Sequence, residues 1–141
     1  MGISGCGKTT YGIFLSKVLC CDYYDGDDFH SLESIEKIKN NIFLNDEDRK
    51  EWLDKIKNII DKYINKKNVV ISCSCLKKEY RIKLGIPNNN IKLIYLSVPH
   101  DIEERIEKRK NHFAKKNIIE SQLKILEIPS PDENTIYVNY D

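Results

Sequence analysis

The chain lacks any apolar run near the ~20 residues that span a bilayer, and its start lacks the charged-then-apolar pattern of an export signal. Those absences make a cytoplasmic protein without a membrane partner the expectation. It also lacks a charge bias: 23 basic and 22 acidic residues leave a net charge of +1. No broad field favours nucleic acid, so any basic cluster acts locally and the expected partner is a small molecule. Five cysteines, an odd number without regular spacing, do not form a disulfide framework. Cys20-Cys21 and Cys73-Ser74-Cys75 lack the second Cys or His pair of a zinc site, and read as packing residues. Repeats, linkers and composition breaks are missing too, and 141 residues suit one domain over 1–141 rather than two.

What is present begins at once. Gly2-Ile3-Ser4-Gly5-Cys6-Gly7-Lys8-Thr9 fills every fixed position of the phosphate-binding loop G-x-x-x-x-G-K-[ST]. Gly2, Gly5 and Gly7 let backbone N–H groups turn inward and approach phosphate oxygens where a Cβ would collide. A helix opening near Lys8 adds its own unpaired N–H groups and positive dipole end. Lys8 supplies a point charge to the β/γ-phosphates, and the Thr9 hydroxyl reaches Mg²⁺. A nucleoside triphosphate with Mg²⁺ is the expected ligand, cradled by residues 2–10, Thr10 included.

Helical spacing of Tyr11, Phe14, Leu15, Val18 and Leu19 predicts a helix over 8–20 with those residues buried. Asp22–Asp25 is a short strand that delivers Asp25, Asp27 and Asp28 to its carboxyl end, the rim where open α/β sheets bind ligands. His30–Asn41 reads as helix. A second helix opens at Asn45 or Asp46 with acids in its first turn, and buries Trp52, Ile56, Ile59, Ile60, Tyr63 and Ile64. The β-branched run Val69–Cys73 has the pattern of a strand buried on both faces. Helix over 76–84, strand over 91–97, a charged helix after Asp101, helix over 118–127 and strand over 135–139 complete the chain. Alternating strands and helices behind a phosphate loop give an α/β fold with a parallel sheet and right-handed crossovers.

Three stretches resemble the gluconate kinases (gluconokinases), small P-loop kinases related to shikimate kinase. One runs from Asp25-Gly26-Asp27-Asp28-Phe29-His30 through Leu44-Asn45-Asp46-Glu47-Asp48-Arg49 to Trp52-Leu53. Another, Cys73-Ser74-Cys75-Leu76-Lys77-Lys78-Glu79-Tyr80-Arg81, is similar to the family's C-S-A-L-K-K-x-Y-R with Cys75 in place of Ala. The third carries Arg105 and Arg109 through His112-Phe113 to Ser121-Gln122 and Leu126-Glu127, and resembles the family's arginine-bearing lid, here about 105–117. Among the departures, Ser31 and Ser34 stand where the family has Pro and Asn in H-P-x-x-N.

The resemblance implies a three-layer fold, helices on both faces of the sheet, and ATP-dependent phosphorylation of D-gluconate to 6-phosphogluconate. It implies that Asp25 holds Mg²⁺ through water, that Asp27 orients the sugar-acid hydroxyl and accepts its proton, and that Arg109 with Arg105 closes over the triphosphate. His30, Arg49, Lys77 and Arg81 are the candidates for binding gluconate; a surface or capping role for His30 and a solvated Lys77-Lys78 pair stay open. A homodimer is likewise implied by the resemblance alone. The competing readings are another small-molecule P-loop kinase, such as one acting on shikimate, and a nucleotide-binding protein made inactive by truncation.

The family's strand order is 2-3-1-4-5, and no stretch of this sequence fills the central slot before Gly2. The strands at 69–73 and 91–97 are therefore expected to flank a gap, or else to move together and pair directly. With the gap open, and without the family's closing C-terminal helix after the last strand, a truncated chain of low stability or activity is the expectation.

Overall fold

The computed structural model describes residues 1–108 and 112–139. Helix α1 (Lys8–Val18) follows the phosphate loop, and strand β1 (Asp22–Asp25) runs into a 3-10 turn over Gly26–Phe29. Helices α2 (Leu32–Lys39) and α3 (Asp46–Tyr63) lead to β2 (Val69–Ser72), and α4 (Lys78–Lys83) leads to β3 (Leu93–Leu96). Then come α5 (Ile102–Glu107), α6 (His112–Ile125), a short turn over Pro131–Glu133 and β4 (Thr135–Val138).

Local chemistry sets these limits. Asn45 and Asp48 form a reciprocal capping box that opens α3, so two otherwise unpaired N–H groups are satisfied at its first turn. Ser31 accepts from the Ser34 N–H to open α2. The α3 stripe is as expected in kind: Trp52, Ile56 and Tyr63 are buried, joined by Leu53, while Ile59, Ile60 and Ile64 are half-buried. Helix α6 starts earlier than the apolar spacing implied and takes in residues 112–117, which read as a polar stretch.

The expected stripe on α1 holds in part: Tyr11 and Leu15 are half-buried, but the rest of it is not the buried face. Phe14 and Val18 are each 61% exposed and Leu19 45%, whereas Gly12 and Ser16 are buried. The helix lies against the β1–β2 pair with its small residues inward: a Cβ on Gly12 would sit 2.6 Å from the Tyr23 ring. Close approach through small side chains displaces the larger apolar ones to the flanks.

All strand pairing is parallel, in two separate pairs. Asp22–Asp25 aligns with Val69–Ser72, and Leu93–Leu96 with Thr135–Val138. Strands β2 and β3 are not paired with each other, so the two flanking strands have not closed up. A cavity of about 640 Å³ separates them, lined by residues of both strands and by Tyr11 and Leu15 of α1. Met1 lies at its border: its amino group donates to the Ile94 carbonyl at 2.5 Å, and its carbonyl accepts from the Leu96 N–H at 3.0 Å. The gap explains a second correction, for Val69–Ile71 are only half-buried rather than enclosed on both faces.

A cluster of buried apolar side chains links Ile3 and Cys6 of the loop, Trp52 and Ile56 of α3, Leu76, Tyr80, Leu93, Leu96 and Ile119. The loop thus rests on the same core that supports both strand pairs. Among the described residues no helix is long and apolar enough to cross a membrane.

Candidate active site

Gly5 and Gly7 take φ of 84° and 90°, values that L-residues with a side chain rarely adopt, and Gly7 is the residue that enters α1. Ile3 and Cys6 point into the core at 1% and 0% exposure, which fixes the loop from below and turns its backbone outward. Gly2 is buried beside the Leu96 carbonyl. Lys8 donates from Nζ to the Ile3 carbonyl at 2.7 Å, so its ammonium lies over the loop. Thr9 and Thr10 are exposed at the first turn of α1.

Strand β1 brings the acids to this loop. Thr9 Oγ1 donates to Asp25 Oδ2 at 2.9 Å, joining hydroxyl and carboxylate across 16 positions. Such hard oxygen donors suit Mg²⁺, which takes one or two protein carboxylates and completes its shell with phosphate and water. Asp25 Oδ1 also accepts the Asp27 N–H at 3.0 Å and so caps the 3-10 turn that carries Asp27. Gly26 makes the turn possible, because a Cβ there would lie 2.6 Å from the Ser72 carbonyl of the neighbouring strand. The Asp27 side chain is 74% exposed and faces open solvent.

Behind Asp27 stands a wall of His30, Trp52, Arg49 and Tyr80. The His30 ring stacks on Trp52 with centroids 4.9 Å apart and planes 9° apart, and its Nε2 lies 4.0 Å from Asp27 Oδ1. Trp52 Nε1 donates to the Gly26 carbonyl at 2.6 Å, tying the wall to the acidic turn. Burial pushes the His30 pKa down; Asp27 opposes that shift and Arg49 adds to it. Arg49 is buried, with its guanidinium 5.8 Å above the Tyr80 ring. Two buried polar atoms of this wall, His30 Nδ1 and Arg49 Nε, have no hydrogen-bond partner. Such groups are costly unless a ligand or water satisfies them.

The other candidates divide. Lys77 Nζ donates to both oxygens of Asp46 at 2.8 and 3.0 Å, and the Tyr80 hydroxyl donates to Oδ1 of the same carboxylate. The Lys77 and Tyr80 hydrogen bonds hold Asp46 below the usual carboxylate range, while burial and then Asp46 push Tyr80 up to about 12. Arg81 is a correction: it is 1% exposed, and its Nε and Nη2 donate to Glu133 at 2.6 and 3.3 Å. Its Nη1 donates to the Cys75, Leu76 and Glu127 carbonyls, so each nitrogen is engaged within the fold and the buried guanidinium presents no face to substrate. Arg105 Nε donates to Asp101 at 2.7 Å, one turn back on α5. Arg109 lies outside the described residues.

Sequence reasoning passed over Tyr23, whose hydroxyl bonds Ser72 at 2.7 Å and Asp25 at 3.3 Å. The signal was available, since residues two apart on a strand share a face. It also read Trp52 as core only, whereas the indole both fills the core and walls the site.

The family model described as shikimate kinase matches residues 4–139. A probable gluconokinase of Dictyostelium discoideum is 40% identical over 94% of this chain and 70% of its own length. The thermoresistant gluconokinase of Escherichia coli is 37% identical over 98% of this chain and 80% of that protein. This chain belongs to the gluconokinase family of small P-loop kinases. Among solved structures, a gluconokinase from Sinorhizobium meliloti superposes with a TM-score of 0.84 at 32% identity, covering 99% of this chain and 79% of that one. An unliganded sugar kinase from Janibacter gives 0.86 at 34% identity over 99% and 82% of the two chains.

Proposed function

We propose that this protein transfers the terminal phosphoryl group of ATP to the terminal hydroxyl of D-gluconate, giving 6-phosphogluconate and ADP, in the cytoplasm. The observation that carries the acceptor half is the wall beside Asp27: buried His30 Nδ1 and Arg49 Nε without partners, next to an exposed carboxylate on the turn that Asp25 caps while bonded to Thr9 of the phosphate-loop helix. A polyol with a carboxylate offers acceptors and donors to both nitrogens. Kinship with curated gluconokinases supports the same acceptor.

Phosphoryl transfer needs alignment and charge neutralisation more than covalent chemistry. Loop residues Gly2–Thr10 bind the triphosphate through backbone N–H groups, and Lys8 leaves the Ile3 carbonyl to face its outer phosphates. Thr9 and Asp25 would hold Mg²⁺, Asp25 through water, and the ion would supply charge that screens the phosphates. Asp27 takes the proton of the attacking hydroxyl as general base, a role for which its position on the turn capped by Asp25 suits it. Arg49 binds the gluconate carboxylate as a planar cation, His30 hydrogen-bonds a hydroxyl, and Lys77 stands at the edge of the pocket with Asp46. Arg109 and Arg105 close over the phosphates with the lid, excluding water as a competing acceptor.

The experiment is ADP release with gluconate, shikimate and nucleoside monophosphates as acceptors. Gluconate is expected to win; a preference for shikimate, the substrate named by the matching family model, would overturn the assignment. Thermal protection by ATP without turnover on any acceptor would favour a binding-only protein.

A further inference from the structure

One backbone N–H of the phosphate loop is already taken. Ser4 N donates to Gln122 Oε1 at 2.6 Å, a bond that spans 118 positions of sequence. Gln122 lies on α6, the helix that follows the lid, one turn beyond Ile119 and so on the same helix face. Ile119 is 5% exposed, and its Cδ1 would lie 3.9 Å from a Cβ on Gly5, with Ile102 Cδ1 of α5 at 3.2 Å. The helices on either side of the lid therefore rest on the loop at Gly5, and Gln122 adds the polar bond at the preceding residue. The Gln122 amide nitrogen makes no hydrogen bond among the described residues, so the side chain is held by its carbonyl alone.

We propose that Gln122 is a positioning residue for the transfer reaction: it fixes the loop backbone at Ser4 and registers α6 against it, so that the phosphoryl group is held by a loop of set shape. This rests on the kinase reading above. A small displacement of a loop that aligns the phosphoryl group lowers the rate without removing the binding contacts.

The test separates the acceptor oxygen from the bulk of the side chain. Gln122→Met keeps the length and loses the oxygen. It is expected to speed amide exchange at Ser4 and to lower kcat about tenfold at saturating ATP and gluconate, with ADP affinity and melting temperature little changed. Gln122→Glu keeps an oxygen for the Ser4 N–H but brings negative charge toward the triphosphate. It is expected to keep Ser4 exchange slow and kcat within about threefold of wild type, while raising the ATP KM about tenfold. Unchanged Ser4 exchange in Gln122→Met, or an equal loss of kcat in both variants, would overturn the proposal. So would a lowered melting temperature in Gln122→Met with kcat intact, which marks a packing residue. Wild-type protein that releases no ADP with any acceptor would instead refute the kinase reading, and Ser4 exchange would still report the tether.

Discussion

Arg49 and Arg81 both come from motifs shared with one family, both are buried, and they do opposite things. Arg81 uses all three of its nitrogens on Glu133 and three carbonyls, and ties the start of α4 to the chain that follows α6. Arg49 lies over Tyr80 at the edge of an open wall with Nε unpartnered. A buried cation with every nitrogen engaged is part of the fold, whereas one with a nitrogen unpartnered is poised for an acceptor that is not part of the chain. The same contrast holds for the carboxylates: Glu133 is 2% exposed and paired, whereas Asp27 is 74% exposed and faces open solvent.

The sharpest way to break that contrast is to remove Arg81. Arg81→Met leaves Glu133 buried without its cation, and loss of one partner from a buried pair typically costs about 3–5 kcal/mol. Against a typical total of about 5–15 kcal/mol, that is a major fraction of the stability, read as a large drop in the urea midpoint. A loss below about 1 kcal/mol would mean that the pair is not what holds α4 in place.

Next in size is Asp27→Asn, which keeps shape and exposure but removes the proton acceptor. General-base groups contribute about 10²–10⁴ in rate, so kcat with gluconate should fall into that range while the melting temperature stays put. Near-normal kcat would remove Asp27 from the role. Lys8→Ala is expected to cost about 10²–10³ by withdrawing charge from the transferring group, again with little change in fold.

Arg49→Met tests the other arginine. Loss of a charge-assisted hydrogen bond to gluconate is worth about 1.5–3 kcal/mol, which predicts a gluconate KM about 10–100-fold higher with the ATP KM unchanged. Stability should hold or rise slightly, because a buried donor without a partner is removed. A fall in stability like that of Arg81→Met would erase the distinction between the two.

Much of this was legible from residue order. The loop, a helix start at Asn45 or Asp46, the acidic turn at Asp25–Asp28 and, as one of two expected outcomes, the gap between β2 and β3 follow from fixed spacings and from topology. What failed depended on distance between elements. Arg81 and Glu133 are 52 positions apart, and nothing in Tyr80-Arg81 reveals which partner lies opposite. On α1 the apolar spacing pointed to the wrong face, because helix–sheet contact favoured the small Gly12 and Ser16 over the larger Phe14 and Val18. Ser4 and Gln122 stood in two recognised motifs, but only the fold places one against the other.

The smallest expected effect concerns protonation of the wall. His30 is stacked on Trp52 with Nδ1 unpartnered; burial, helped by Arg49 and opposed by Asp27, lowers its pKa from the usual 6.5. The unfolded chain then takes up a proton before the folded one as pH falls, so the unfolded state binds more protons in that window and stability declines with pH. Above about pH 6.5 the imidazole is neutral in both states and nothing is lost; the loss accrues between there and the lowered folded pKa. His30→Phe keeps a stacking ring and cannot titrate. The unfolding free energy of wild type relative to His30→Phe should therefore be lower at about pH 5.5 than at about pH 7.5. A difference that is flat across that range would show that the wall does not shift His30, and one that runs the other way that its pKa is raised, as a dominant Asp27 interaction would make it.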